Sequence, residues 1–341
     1  MDYTDAPDLS LFLSRFSGVM LSIAARLCAF LLLAAPPAFA ADASAPIIVH
    51  AGKNDSLSHA LAVQFAEAVA SGNNALTVQV EESQGSVQNI IDASKSRQRY
   101  IFTAPPSLIA QARRGDKPFE HNIHYREIRA LFPIPPLTVH WVVRADSGIK
   151  DFADLAGRPF APGAKGSFAE RQTASALHVL GLDQRVQLID IDAAGAKAAF
   201  AGKQVIGMAL AGTYPMPAVT NLAGTTPIRL LSLPPDEIEA VLAADDSTAV
   251  QVIPKGTYPG IDEDVTTIAQ PAGVYTTTQM SDRLAYAITK AFWAQKWVLG
   301  QRNPPWATVT PGSLAALGVK LHPGALRYYR AAGVKVPAGL R

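Results

Sequence analysis

Residues 138–167 read TVHWVVRADSGIKDFADLAGRPFAPGAKGS, and this stretch decides how the chain divides. The β-branched and aromatic run at 138–143 favours a strand, and the segment RPFA at 158–161 favours another strand after a polar turn. The glycine-containing loop 163–167 then leads into a segment with helical spacing of apolar residues. Strand, loop and helix in this order are typical of a parallel sheet with helices on its faces. A new α/β series therefore begins in this stretch.

The same alternation of elements extends to both sides of this stretch. Strands are predicted at 47–51, 76–80, 100–103, 138–143, 158–161, 186–191, 205–210, 228–231 and within 250–278. Helices are predicted at 57–70, 87–95, up to 114, 168–180, 194–201, 216–222 and from 281 onward. Residues 133–136, which include three prolines, are interpreted as a stiff link before the strand at 138–143, and a second α/β series follows that strand.

This pattern predicts a hinged clamp whose chain crosses between the lobes more than once. The first lobe comprises 41–142 and the returning segment 249–341, and the second lobe comprises 143–248. In such folds the ligand lies in the crevice beyond the carboxyl ends of the strands.

The composition is that of a globular protein. Of the 341 residues, 49% are hydrophobic and 17% are charged, which is unlike a disordered chain. The formal net charge is +2 and no run of five or more Lys or Arg is present, so a nucleic-acid-binding surface has no support. A chain of this length is too large for one small core, which favours two lobes.

The first forty residues have the pattern of a secretory signal. Arg26 precedes the apolar run LCAFLLLAA at 27–35, and the small-residue triplet AFA at 38–40 offers a cleavage site. The run is too short to cross a bilayer, which needs about 20 residues. We expect cleavage after about Ala40 and a periplasmic protein without Cys28, which is the single cysteine of the chain. An uncleaved anchor is the alternative.

Four loops at the carboxyl ends of predicted strands have the features of anion sites. They span 52–56, 83–86, 163–167 and 212–215. Each contains a glycine, provides a hydroxyl and precedes a helix, whose free N–H groups favour negative charge. Lys53 and Lys165 add cationic side chains, and Arg171 lies about one helical turn beyond the third loop. The alternative is that serines such as Ser56 only cap the helices that follow them.

Seven segments together resemble one known family. They read SQGSVQN at 83–89, VVRADSGIK at 142–150, DLAGR at 154–158, GAKGS at 163–167, IPKGTYPG at 253–260, AYAITK at 285–290 and HPGALRYY at 322–329. In this order they resemble the TAXI family, the solute-binding subunits of one branch of the tripartite ATP-independent periplasmic (TRAP) transporters. Each segment alone is weak, but the segments appear in family order over nearly all of the mature chain.

The resemblance implies an α/β fold of the periplasmic-binding-protein type II kind, with two lobes joined by a hinge and a ligand cleft between them. It implies a small carboxylate as ligand, glutamate-like or 2-oxo-acid-like, and a TRAP permease of the membrane as partner. The cleft residues that it implies are Ser83, Ser86, Asn89, Ser167, Thr213, Tyr214 and Pro215. The loop pattern adds Lys53, Ser56, Lys165 and Arg171 to the predicted ligand-binding set.

Two loops depart from the family pattern, which leaves the identity of the solute open. Loop 52–56 lacks the glycine-rich, tyrosine-containing sequence that the family has there, and Phe168 and Ala169 stand where the family favours Gly-Thr.

The sequence gives no support to an enzyme. No G-x-S-x-G elbow, H-E-x-x-H pair or phosphate-binding P-loop is present. His121 and His124 lie three residues apart in a polar segment without cysteine, which favours a surface loop over a metal site. We therefore expect a binding protein without catalytic residues, metal or cofactor. A module that presents its ligand to a membrane sensor kinase uses the same clamp and stays open as an alternative.

Overall fold

The computed structural model describes residues 45–341, except for residues 55, 96 and 97. The predicted signal segment and its cleavage site therefore lie outside the described residues. Residues 46–341 form a single unit. Within the part of the chain that the structure describes, no helix is long and apolar enough to span a bilayer.

The described residues alternate between strands and helices for most of their length. The strands are β1 (Ile47–His50), β2 (Val78–Glu81), β3 (Tyr100–Ala104), β4 (Ile128–Arg144), β5 (Pro159–Ala161), β6 (Gln187–Leu188), β7 (Gly207–Gly212), β8 (Ile228–Leu230), β9 (Ala249–Ile253) and β10 (Val265–Thr277). The α-helices are α1 (Leu57–Gly72), α2 (Ser86–Ala93), α3 (Pro106–Arg114), α4 (Phe168–Val179), α5 (Ala193–Ala201), α6 (Pro217–Thr225), α7 (Pro235–Ala244), α8 (Asp282–Arg302) and α9 (Pro323–Ala331). Helix α7 is an element that the sequence patterns did not predict.

Two parallel halves are joined through a pair of long antiparallel strands. The main path of the sheet runs β2-β1-β3-β10-β4-β7-β5-β6, with β8 paired to β4 and β9 paired to β10. Strands β1, β2 and β3 pair in parallel, as do β5, β6 and β7. We call these groups the β1–β3 half and the β5–β7 half. This arrangement confirms the predicted α/β fold class.

The interpretation of residues 133–136 as a link was wrong, because they lie inside β4. Strand β4 pairs with β10 on both sides of this segment, but the pairing passes over Pro135 and Pro136 and the register shifts between Gln270 and Ala272 of β10. Proline has no N–H to donate to a neighbouring strand, so a local irregularity lets the strand continue through the prolines.

Buried hydrophobic side chains form three clusters. One cluster takes its residues from 47–134 and 274–340, and it covers the β1–β3 half. The other two clusters take theirs from 139–268 and cover the β5–β7 half. The two long strands contribute to both sides of this division. The predicted boundaries of the two lobes, at residues 142 and 248, stay a prediction.

Candidate functional site

The carboxyl ends of the strands in both halves approach the same short part of the two long strands. In the β1–β3 half, Ala104 at the end of β3 lies opposite Gly273 of β10. In the β5–β7 half, Gly212 at the end of β7 lies opposite Thr138 of β4, which itself pairs with Ala269 of β10. The loops that follow the strands therefore face each other near the middle of β4 and β10. This is where α/β folds of this kind hold their ligands.

Three helices of the β1–β3 half begin at this edge of the sheet. Helices α1, α2 and α3 follow the parallel strands β1, β2 and β3, so their N-termini lie on the same side. Ser56 caps α1, whereas α2 and α3 begin at Gly85 and Pro105 without any side-chain cap. The first N–H groups of an uncapped helix are unsatisfied and carry partial positive charge. The edge is thus suited to an anion.

A cavity of about 260 Å³ lies at these three N-termini. Its polar lining comes from Ser56, Ser58, Ser86, Thr103 and Gln270. Its apolar lining comes from Leu57 and Leu61 of α1, from Ala104 at the end of β3 and Pro105 after it, and from Ile134, Pro135, Leu137 and Ala272 of the long strands. The cavity therefore combines helix N-termini with the central part of β4 and β10.

The hydroxyls of Ser56 and Ser58, which line the cavity, lie close to Gly52 at the start of the first predicted loop. The Ser56 Oγ accepts a hydrogen bond from the N–H of His59 at 3.2 Å, as an N-cap does, and it lies 3.1 Å from the Oγ of Ser58. A Cβ on Gly52 would come within 2.7 Å of the Ser56 hydroxyl oxygen. Only glycine fits at position 52 without displacing these hydroxyls. The close approach of loop glycines to a ligand stays a prediction.

Ser83 and Asn89 make hydrogen bonds to the strand ends and loops next to the cavity. The Asn89 side chain is fully buried, and its amide nitrogen donates to the carbonyl oxygens of His50, Ala51 and Thr103 at 3.1–3.2 Å. The N–H of Ser83 donates to the carbonyl oxygen of Gly52, which joins the first two predicted loops. Both residues hold strand ends and loops together, and neither lines the cavity. Ser86 of the same motif does line it.

The predicted residues of the third loop lie outside this cavity. Ser167 caps α4, and its Oγ accepts from the N–H of Glu170 at 3.1 Å. Arg171 is exposed and donates to the carbonyl oxygen of Gly166 at 2.7 Å, so it points back over its own loop as the spacing suggested. Lys165 is exposed, as is Lys53 of the first loop.

The fourth loop is held next to the cavity by a buried network. Thr213 and Tyr214 are buried, Pro215 is half-buried, and the Tyr214 hydroxyl accepts from the side-chain amide of Gln251 at 3.1 Å. The N–H of Met216 donates to the hydroxyl of Tyr258 at 2.8 Å. None of these residues lines the cavity. The loop starts at Gly212, which pairs with Thr138 of β4, and Thr138 directly follows the lining residue Leu137.

The hydroxyl of Tyr258 also lies 2.8 Å from Nε2 of His140 on β4. The Nδ1 atom of His140 lies 3.2 Å from the carbonyl oxygen of Thr138, so a proton on Nδ1 and a bare Nε2 satisfy both contacts. Burial lowers the pKa of His140 to about 4, against the smaller effect of its hydrogen bond to Thr138. Burial also raises the pKa of Tyr258 to about 12. The network is therefore neutral at physiological pH.

Most of the apolar lining could not be predicted from the sequence. Thr103 and Ala104 end β3 and Pro105 precedes α3, but this segment contains no glycine, so the rule that selected the four loops does not select it. Gln270 and Leu137 lie within long strands and carry no local signal. Among the described residues, no group of three or more His, Cys, Asp or Glu is placed to hold a metal ion.

Residues 55–333 match the model of the NMT1-like family. The chain belongs to the NMT1-like family. This match includes all four predicted loops except the first three residues of loop 52–56.

Solved structures of solute-binding proteins resemble this chain in fold. A TctC solute-binding protein from Polaromonas has a TM-score of 0.52 at 14% identity, covering 81% of this chain and 89% of its own. MatC from Rhodopseudomonas palustris with bound malate has a TM-score of 0.46 at 12% identity, covering 85% and 98%. The aliphatic sulphonate binding protein SsuA from Escherichia coli has a TM-score of 0.42 at 14% identity, covering 84% and 82%. The likeness to the TctC protein shows that this chain has the two-lobed fold of periplasmic binding proteins.

Proposed function

We propose that this protein is an extracytoplasmic solute-binding protein that captures a small carboxylate for a TRAP-type transporter of the membrane. The observation that carries the proposal is the convergence of three helix N-termini on one cavity. Unsatisfied N–H groups and helix dipoles favour an anion there. The TAXI-like order of segments supports the TRAP partner, and the fold shared with TctC supports the role in solute capture.

In the proposed mechanism the carboxylate first meets the β1–β3 half. Its oxygens accept hydrogen bonds from the hydroxyl of Ser86 and from the free N–H groups at the start of α2. Closure of the clamp then brings Ser167 and the cationic groups of Lys165 and Arg171, all of the β5–β7 half, to the same carboxylate. Contacts that form only in the closed state shift the equilibrium toward closure.

A thermal-shift screen tests the binding of anions directly. Small carboxylates are compared with the amides of the same acids, which keep the shape but remove the charge. A ligand at a hundred times its Kd stabilises the folded state by about 2.7 kcal/mol, so a binding carboxylate raises Tm and its amide does not. Equal shifts with acid and amide, or no shift with any carboxylate, would contradict the proposal.

The variant Ser86→Ala tests the location of the site. We expect its affinity for the carboxylate to fall by about 0.5–1.5 kcal/mol, because one hydrogen bond is lost. Its unfolding free energy should change little, since Gly85 and not Ser86 is the N-cap of α2. The matched control Ser313→Ala removes the serine hydroxyl of a capping box outside the cavity and should leave affinity unchanged. Unchanged affinity of Ser86→Ala would remove α2 from the site.

A further inference from the structure

We propose that the ligand is a small acid of about ten non-hydrogen atoms in all, with one anionic group on an uncharged, apolar body, since a cavity of about 150 Å³ holds the six carbons of benzene. This inference rests on the proposed function and names the chemical class of solute within it. It separates a monocarboxylate with a hydrocarbon body from glutamate-like and dicarboxylate solutes.

The size follows from the volume of the cavity. At about 260 Å³ the cavity has less than twice the volume that accepts one benzene molecule. Typical sites for larger ligands measure about 300–1,000 Å³. A short acid with a small branched or cyclic body fits this space.

The apolar character of the ligand body follows from the side chains that line the cavity. Of the thirteen described residues that line the cavity, eight have aliphatic or proline side chains and the other five are uncharged polar residues. The large aliphatic side chains come from both sides: Leu57 and Leu61 from α1, and Ile134 and Leu137 from β4. Since hydrocarbon gains free energy when it leaves water for such a surface, the part of the ligand against these walls is apolar.

The restriction to one charge follows from the same lining. None of these thirteen residues carries a charge, so a second carboxylate or an ammonium would enter the cavity without an ionic partner among them. Burying an unpaired charge costs far more than burying a neutral group. The helix N-termini meet the charge of one carboxylate at one end. The cavity therefore selects against a doubly charged or zwitterionic solute.

A matched series of ligands tests the inference by isothermal titration calorimetry on the purified protein. The probes are 4-methylpentanoate, L-leucine with the same carbon skeleton and an added ammonium, and pentanedioate with a second carboxylate. We expect 4-methylpentanoate to bind at least a hundredfold more tightly than the other two.

A charge placed in the wall tests the position of the carboxylate. Gln270→Glu keeps the size of the side chain and adds a negative charge to the lining, so the Kd for 4-methylpentanoate should rise at least tenfold. The control Gln187→Glu makes the same change at an exposed position of β6 and should leave the Kd within about twofold. Circular dichroism and Tm establish that both variants are folded.

The outcomes separate this inference from the proposed function. Tighter binding of pentanedioate or L-leucine than of 4-methylpentanoate would overturn the inference and leave the capture of a small carboxylate standing. An unchanged Kd in folded Gln270→Glu would also overturn it, because the anion would then lie elsewhere. Failure of every carboxylate to bind would overturn the proposed function, and the inference with it.

Discussion

His140 lies on β4, where the loop at the end of β7 meets the long strands. It is 1% exposed, and its two ring nitrogens contact the hydroxyl of Tyr258 and the carbonyl oxygen of Thr138. Through Tyr258 it also holds the N–H of Met216, the residue that precedes α6. One neutral side chain thus fixes the spacing between β4, the fourth loop and the segment around Tyr258, which belongs to the IPKGTYPG motif.

The burial of His140 predicts a loss of stability in acid. Its pKa falls from 6.5 to about 4 in the folded protein, so between these values the unfolded chain binds a proton that the folded chain does not. Stability is therefore full above pH 6.5 and declines as the pH falls toward 4, by about 2–3 kcal/mol. Urea unfolding at pH 7 and pH 4.5 measures this loss.

Two variants isolate the contribution of His140, since the pKa of buried His322 is also lowered by burial. His140→Gln should lose about 2 kcal/mol less than the wild type between the two pH values. Tyr258→Phe keeps the histidine and should retain the full pH dependence. The same pH dependence in wild type and His140→Gln would show that His140 titrates normally.

At the scale of elements, close packing around α8 holds the returning segment of the chain against the β1–β3 half. Gly72 at the end of α1 leaves no room for a Cβ, which would collide with the backbone of Ala291 in α8. Gly324 in α9 is equally close to the backbone of Asp282, the first residue of α8. These glycines let three helix backbones approach each other where any larger residue would separate them.

Gly72→Ala and Gly324→Ala should each lower the unfolding free energy by about 1–3 kcal/mol, because an added methyl group overpacks the contact. The control is Gly224→Ala in α6, where a Cβ meets no atom within 4 Å. There the better helix propensity of alanine should leave stability unchanged or raise it by up to about 1 kcal/mol. Denaturant unfolding measures all three, and equal effects would mean that the helix contacts are loose.

At the scale of the whole molecule, β4 and β10 are the structural link between the two halves. Strand β4 pairs with β10 on both sides of Pro135 and Pro136 and with β7 only beyond them, so any change in the angle between the halves passes through this segment. The irregular pairing at Pro135, Pro136 and Gln270 leaves few hydrogen bonds to break there. Closure about this segment is the motion that the proposed function requires.

Small-angle X-ray scattering tests this motion. A saturating carboxylate should lower the radius of gyration of the wild type, because the halves approach each other on binding. The variant Gln270→Glu, at a ligand concentration close to the wild-type Kd, should show a smaller decrease than the wild type, in proportion to its lower occupancy. A radius that stays constant when calorimetry shows full occupancy would exclude a closing clamp.

Much of the fold was predictable because its signals are local. Ser56 and Ser167 lie at helix starts that propensity and capping rules predict, and the strands before them have β-branched or apolar runs. The prolines at 133–136 misled the prediction, because proline propensity argues against a strand and the compensating irregularity lies on a different strand. No sequence pattern predicted helix α7 (Pro235–Ala244).

By itself, the sequence determined the alternation of strands, loops and helices, and with it the helix N-termini at one edge of the sheet. Only the tertiary structure decided that Gln270 and Leu137 join Ser86 around one cavity, while Lys53 and Lys165 stay in solvent. The physical reason is distance along the chain. Helix starts depend on neighbouring residues, whereas the walls of the cavity depend on the register between strands that lie more than a hundred residues apart.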